Sequence, residues 1–261
     1  MLIWWMMKTI FNIANITFWE IIRDKILYGL IFLSVILLVV STAMAQLSFA
    51  EQTKITMDFS LFVLNIATVI ISIFLGAQLL YREVENKTLL TLLTHPVGRH
   101  QFLMGKVLGI FLIILLLSCI FTFLLLLQAW YYEYENYHLL FYPMVGILLE
   151  SLIILSLTIC LSTVFRVSIS VSVSLFVYLL GHSIDNIKFF AEKVEGHFLD
   201  YVYKFASVLV PNFELMNWKG IVTTQVGIEP LYFFKVVIYS LVWFFIYVII
   251  SYVCFSKKDI T

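Results

Sequence analysis

Six stretches of the chain are apolar for long enough to cross a hydrocarbon layer: residues 26–45, 59–81, 107–130, 139–165, 167–183 and 233–255. A membrane core of about 30 Å needs about 20 consecutive apolar residues in a helix. The period-2 alternation of a barrel strand is absent from most of these stretches, so they are predicted as helices. The exception is Ser168, Ser170, Ser172 and Ser174, which alternate like strand positions. On a helix they fall as two pairs, Ser168/Ser172 and Ser170/Ser174, and small residues there let another helix approach closely. The expected fold class is an all-α integral membrane protein with six transmembrane helices. Its single transmembrane domain covers residues 1–261: a leading helix in 1–25, spans one to five in 26–183, a long segment in 184–232, and the last span and tail in 233–261.

Charge sets the expected orientation. Six spans place both termini on one side. With the N-terminus inside, the inner segments carry Lys8, Arg23, Lys25, Arg82, Lys87, Arg99, Lys106, Arg166, Lys257 and Lys258. The short outer loops carry only Lys54. Lys188, Lys193, Lys204 and Lys219 lie in the long segment, with Lys235 opening the last span, and long loops count little in this rule. The reading is N-in, C-in. The outer run from Tyr131 to Tyr137 has four tyrosines and no cation, as an interfacial belt requires. Ala43-Met44-Ala45 resembles a signal-peptidase site, but the leader before that apolar run is itself amphipathic.

The segments between spans are not ordinary polar loops. In residues 2–22, Lys8, Thr9, Asn12, Asn15, Glu20 and Arg23 gather on one side of a helical wheel. Trp4, Met7, Phe11, Ala14, Phe18 and Ile22 fill the rest, which predicts a helix lying on the inner leaflet. An extension of the first span is the alternative. Between spans two and three, Glu83 and Glu85 precede Thr88, Leu89, Leu92 and Leu93, and Pro96 and Gly98 then turn the chain toward Arg99, Phe102 and Lys106. A solvated loop has no use for its four leucines, so they should meet lipid or a partner. In the long outer segment, Phe198, Val202, Phe205 and Leu209 form a helical stripe opposite Asp200, Lys204 and Ser207. Pro211-Asn212 ends it, and Asn212 can cap a second short helix. Neither piece is long enough to span.

Composition narrows the function. The hydrophobic fraction is 62% and the charged fraction 12% of 261 residues, with a mean hydropathy of +1.03. Soluble domains carry about 45–50% apolar and about 25% charged residues. A soluble enzyme, a disordered chain and a disulfide-built secreted domain are excluded. Net charge is zero, so nothing points to nucleic acid. Cys119, Cys160 and Cys254 are isolated in apolar runs and read as small buried residues. No phosphate-binding loop exists: Gly105-Lys106 is followed by Val107 and lacks the glycine five positions earlier. His95 and His100 flank a Pro-Gly turn without supporting ligands, so no metal site is expected. Glu150 is the single acid deep in a span; it should face the bundle interior or water, as a functional group or a structural partner.

The inner loop resembles the signature of type-2 ABC exporter permeases: the acidic pair Glu83 and Glu85, the step Lys87-Thr88-Leu89, the run Leu92-Leu93-Thr94-His95-Pro96, then Arg99 and Gly105-Lys106. Leu209-Val210-Pro211-Asn212-Phe213-Glu214 resembles the family's outer Pro-Asn-Phe element, and Ser256-Lys257-Lys258-Asp259-Ile260 its C-terminal ending. Lys87 stands where the family usually has Gly. The subgroup most resembled serves nitrous-oxide-reductase maturation, with gliding-motility and haem-exporter relatives as neighbours.

The resemblance implies a non-enzymatic permease of the bacterial cytoplasmic membrane. It would form a homodimer and bind two copies of a separate cytosolic ATPase that holds the ATP and Mg. Glu83, Glu85, Thr88, Leu89, Leu92, Leu93, Pro96, Arg99 and Phe102 would form the coupling contact with that ATPase. Phe198, Val202, Phe205, Pro211 and Asn212 would form an outer gate or the dock for an outer-side, periplasmic protein. Two functions fit: export of a substrate, or relay of ATP-driven motion to the outer partner without transport. An ion-coupled secondary transporter would need several intramembrane charges, and a copper route would need Met, Cys and His clusters.

Overall fold

The computed structural model describes residues 2–45, 52–85, 98–193 and 197–257. Its helices are α1 (Leu2–Ile22), α2 (Lys25–Ala45), α3 (Gln52–Glu85), α4 (Arg99–Tyr131), α5 (Phe141–Val164), α6 (Val167–Lys193), α7 (His197–Leu209), α8 (Ile221–Thr224) and α9 (Pro230–Lys257). Short 3-10 turns at Tyr137–Leu140 and Glu214–Met216 precede α5 and α8. Among the described residues there is no strand. Five helical stretches are long and apolar enough to cross a membrane, in α3, α4, α5 with its leading turn, α6 and α9. A sixth crossing arises if α1 and α2, bent by 59° to one another, are taken together. The helix α2 coincides with the expected first span and is about 31 Å long at the usual helical rise.

Several boundaries differ from the hydropathy reading, most of all in α3 and α6. α3 starts at Gln52 and runs to Glu85, so the acidic pair Glu83 and Glu85 closes a helix. α6 continues to Lys193, where 183 was expected. Ile184 and Ala191 keep packing inward beyond that point, and inward contacts extend the helix past its purely apolar stretch. The first ten residues of the expected long segment therefore belong to the fifth span.

α5 is the centre of the bundle, packing against α3, α4, α6 and α9. Of its apolar stretch 78% is buried, against 22% for α6 and 28% for α9, which leave most of their apolar surface outward. Close approach is built from small residues. A Cβ on Gly76 of α3 would lie 3.1 Å from the Thr158 Cβ of α5. The hydroxyls of Thr158 and Ser174 are 2.8 Å apart. Of the two serine pairs, Ser170 and Ser174 are buried, while Ser168 and Ser172 face outward.

α1 is seated on the start of α4. Added Cβ atoms on Gly105 and Gly109 would lie 2.7 Å from the Cβ atoms of Ile13 and Thr17. Lys106, 8% exposed at its side chain, pairs with Glu20 at 3.1 Å. The opposite arc of α1 is exposed: Lys8, Asn12 and Asn15 lie at its middle with Trp19 among them, flanked by Met7 and Phe11 on one edge and Ile16 on the other. A helix with one packed face and a polar strip edged by apolar residues suits a membrane interface.

The helices alternate in direction, and cross-contacts sort their ends. At one end the Thr53 hydroxyl meets the Tyr132 carbonyl at 3.3 Å, and Tyr134 donates to the Val222 carbonyl at 3.1 Å. Phe141 and Phe233 lie 6.2 Å apart at that same end. At the other, Phe102 stacks on Phe255 at 6.2 Å. One end thus gathers the α4–α5 connection and residues 210–230, and the other gathers α1, the start of α4 and the end of α9.

Candidate functional site

The α5–α6 connection is only Phe165-Arg166, so the two helices form a tight antiparallel hairpin. This register brings His182 of α6 beside Glu150 of α5. The His182 Nε2 lies 3.2 Å from the Glu150 Oε1, and Nδ1 lies 3.4 Å from the Glu214 Oε2. One imidazole thus stands between two carboxylates. Glu150 is 1% exposed, and neither of its oxygens has a hydrogen-bond partner among the described residues. Its hold on His182 is a charge contact lying off the hydrogen-bonding line. Tyr178, one turn earlier on α6, packs edge-on against the His182 ring at 4.7 Å.

The second carboxylate is delivered by the stretch after α7. Two glycines admit that stretch against the hairpin. A Cβ on Gly181 would run into the Phe213 ring, and one on Gly146 into the Met216 carbonyl. Phe213 N–H donates to the Gly181 carbonyl at 3.2 Å. Asn212 is the hub of the polar contacts. Its N–H donates to the Tyr239 hydroxyl of α9 at 2.8 Å, and its amide donates to Asp185 of α6 at 2.9 Å. Its Oδ1 accepts from the Glu214 N–H at 2.9 Å. Asn217 donates to the free oxygen of Glu214, also at 2.9 Å. Half-buried Lys219 completes the charge balance. Burial pushes its ammonium below the ordinary range, and the Glu150 and Glu214 carboxylates push it back up.

This cluster fastens α5, α6 and α9 to the 210–219 stretch. Its chemistry is charge pairing and hydrogen bonding. Among the described residues no group of three His, Cys, Asp or Glu converges as metal ligands would.

The other residues singled out from the sequence lie elsewhere. Glu83 and Glu85 end α3 and Arg99 opens α4, their side chains lying outside the described set. Thr88, Leu89, Leu92, Leu93 and Pro96 fall outside the described residues altogether. Phe102 is 4% exposed and stacked on Phe255, so its ring offers no face to a partner and instead fixes α4 against α9. α7 carries Phe198, Val202 and Phe205; Val202 is half-buried and Phe205 is 69% exposed, while the Phe198 side chain is not described. Pro211 is buried and Asn212 joins the Glu150 cluster through Glu214. The expected second short helix after Asn212 is a 3-10 turn followed by α8.

A family model described as "ABC-2 family transporter protein" matches residues 11–260 of the chain. No curated protein matches it.

Proposed function

The chain belongs to the ABC-2 family of transporter proteins and is a multi-pass membrane permease component; from that premise we propose that it works as a homodimer with two copies of a separate cytosolic ATPase. The carrying observation is the reach of the family match, residues 11–260, in a chain that has no phosphate-binding loop of its own. On this reading ATP chemistry is supplied by another polypeptide. The contact for that polypeptide is residues 83–99, from the end of α3 to the start of α4, with Leu89, Leu92 and Leu93 as its apolar knobs. The end of the bundle holding α1 and the start of α4 faces the cytoplasm of a bacterial cell, and the end holding the Glu150 cluster faces outward.

Closure of the ATPases moves that loop, and with it α4 and the docked α1. The work is spent on exporting a substrate through the dimer. Relay of motion to an outer-side protein is the second reading, supported by α7, whose Tyr201, Phe205, Val208 and Leu209 form an exposed apolar face at the outer end. Coexpression with a candidate ABC ATPase tests the core of the proposal. Leu92→Asp with Leu93→Asp strands charge in an apolar contact, which costs several kcal/mol. Recovery of the ATPase with the purified permease should collapse while membrane insertion persists. Full ATPase recovery and activity would overturn it.

A further inference from the structure

The stretch from Val210 to Lys219 ties three helices together at a single end of the bundle, and it does so almost without regular helix of its own. Its ties are point contacts: Phe213 N–H to the Gly181 carbonyl, Asn212 to Tyr239 and Asp185, and Glu214 to His182. We propose that this stretch is a removable clasp, latched by His182 between Glu150 and Glu214, which must lift before α6 and α9 can move away from α5. The latch depends only on the fold; its service as a gate rests on the transporter reading above.

Three observations carry the clasp. First, the seat is shaped for this backbone. Gly146 on α5 and Gly181 on α6 each leave the space of a missing side chain, and the Met216 carbonyl and the Phe213 ring fill it. Second, the two sides of the latch differ: His182 Nδ1 and the Glu214 Oε2 share a hydrogen bond at 3.4 Å, whereas the 3.2 Å contact of Nε2 with Glu150 has no hydrogen-bond alignment. Glu150 is 1% exposed, with both oxygens lacking a donor among the described residues. A carboxylate buried in this way bears an uncompensated desolvation cost. Lifting the clasp brings water to Glu150, and hydration offsets the lost ion pair. Seated and lifted states therefore lie closer in free energy than an all-apolar seat would leave them. Third, the charges are distributed so that lifting separates them. Glu150 stays on α5 and His182 and Asp185 stay on α6, while Glu214 and Lys219 leave with the clasp.

The test uses the full chain in lipid nanodiscs, without an ATPase. Cys119, Cys160 and Cys254 are replaced by Ala, and Met216→Cys places a reporter on the buried side of the clasp, where Met216 is 2% exposed. The readout is the rate of labelling by a water-soluble maleimide. His182→Gln should raise that rate about tenfold, the equivalent of losing one charge-assisted contact. Glu150→Gln removes the stranded charge, so His182→Gln added to it should raise the rate by only about twofold. Glu214→Gln, on the more exposed side of the latch, should loosen the clasp in the same direction and serves if His182→Gln does not fold. Rates unmoved by both His182→Gln and Glu214→Gln would overturn the clasp. So would effects of Glu150→Gln and His182→Gln that simply multiply. Either failure leaves the permease reading standing, because the experiment involves no partner.

Discussion

A carboxylate inside a membrane bundle is tolerable only with company, and Glu150 has an uncommon kind. It has charge near it and, among the described residues, no hydrogen-bond donor on it. His182 is shared with Glu214, and Lys219 stands close enough to feel both acids. Lys219 reports on the balance because it lies outside the spans. Its ammonium is held below the ordinary value of 10.5, so burial outweighs the attraction of the two carboxylates. Between the depressed folded value and 10.5 the unfolded chain binds more protons, so stability gains from this residue as pH rises. Below that window the whole cost of burying the charge is present. Lys219→Met removes the cost. Its thermal midpoint, measured in nanodiscs, should exceed that of the parent most at pH 7 and least near pH 10. An advantage that widens with pH would show that Lys219 is net stabilising as a cation.

Between elements, glycine placement decides where backbones can touch. Gly29 has nothing within 4 Å of an added Cβ, whereas Gly109 would collide with the Thr17 Cβ at 2.7 Å and the Ala14 carbonyl at 2.8 Å. The second obstacle is backbone and cannot rotate away. Gly109→Ala should therefore cost about 1–3 kcal/mol by overpacking. It should also loosen α1 from α4, seen as faster hydrogen exchange over residues 8–22. Gly29→Ala is the control and should leave exchange in α1 unchanged. Gly105 and Gly109 stand four apart, a spacing that lets helices approach closely, but nothing local said that α1 would be the partner. The Glu150–His182 pairing was more legible. Both residues lie 16 positions from Arg166, at the turn of a two-residue hairpin, as Thr158 and Ser174 each lie 8 positions from it. Equal distances from a tight antiparallel turn put residues face to face. Five of the six expected stretches fall in helices long and apolar enough to cross a membrane, while α2 qualifies only together with α1; the hydropathy bounds missed the ends of α3 and α6, because inward packing prolongs a helix beyond its apolar stretch. The seat for residues 210–219 was not legible. Gly146 and Gly181 are isolated glycines on different helices, and only tertiary contact gives them a meaning.

For the molecule as a whole, the fold pairs the chain's ends more tightly than charge counting does. Hydrogen bonds from Thr53 to Tyr132 and from Tyr134 to Val222 place residues 53, 132, 134 and 222 at one end. The Phe102–Phe255 stack and the Lys106–Glu20 pair place residues 20, 102, 106 and 255 at the other. These relations hold whichever way the protein sits in the bilayer, so sidedness reduces to a single choice for all of them. Arg23, Lys25, Arg166 and Lys257 fall at the Phe102 end, and a cation excess near the ends of spans favours the cytoplasmic side. The run from Tyr131 to Tyr137, with two acids and no cation, falls at the opposite end. Single cysteines at exposed Glu133 and exposed Arg166, each in a background lacking Cys119, Cys160 and Cys254, would read the choice directly. In intact cells an impermeant maleimide should label Glu133→Cys, and Arg166→Cys should label only after the membrane is opened. Because α5 joins the two positions, their accessibilities must be opposite. The reverse pattern would invert the molecule, moving the Glu150 clasp to the cytoplasm and residues 83–99 out of an ATPase's reach. Labelling of both from outside would contradict the bundle itself.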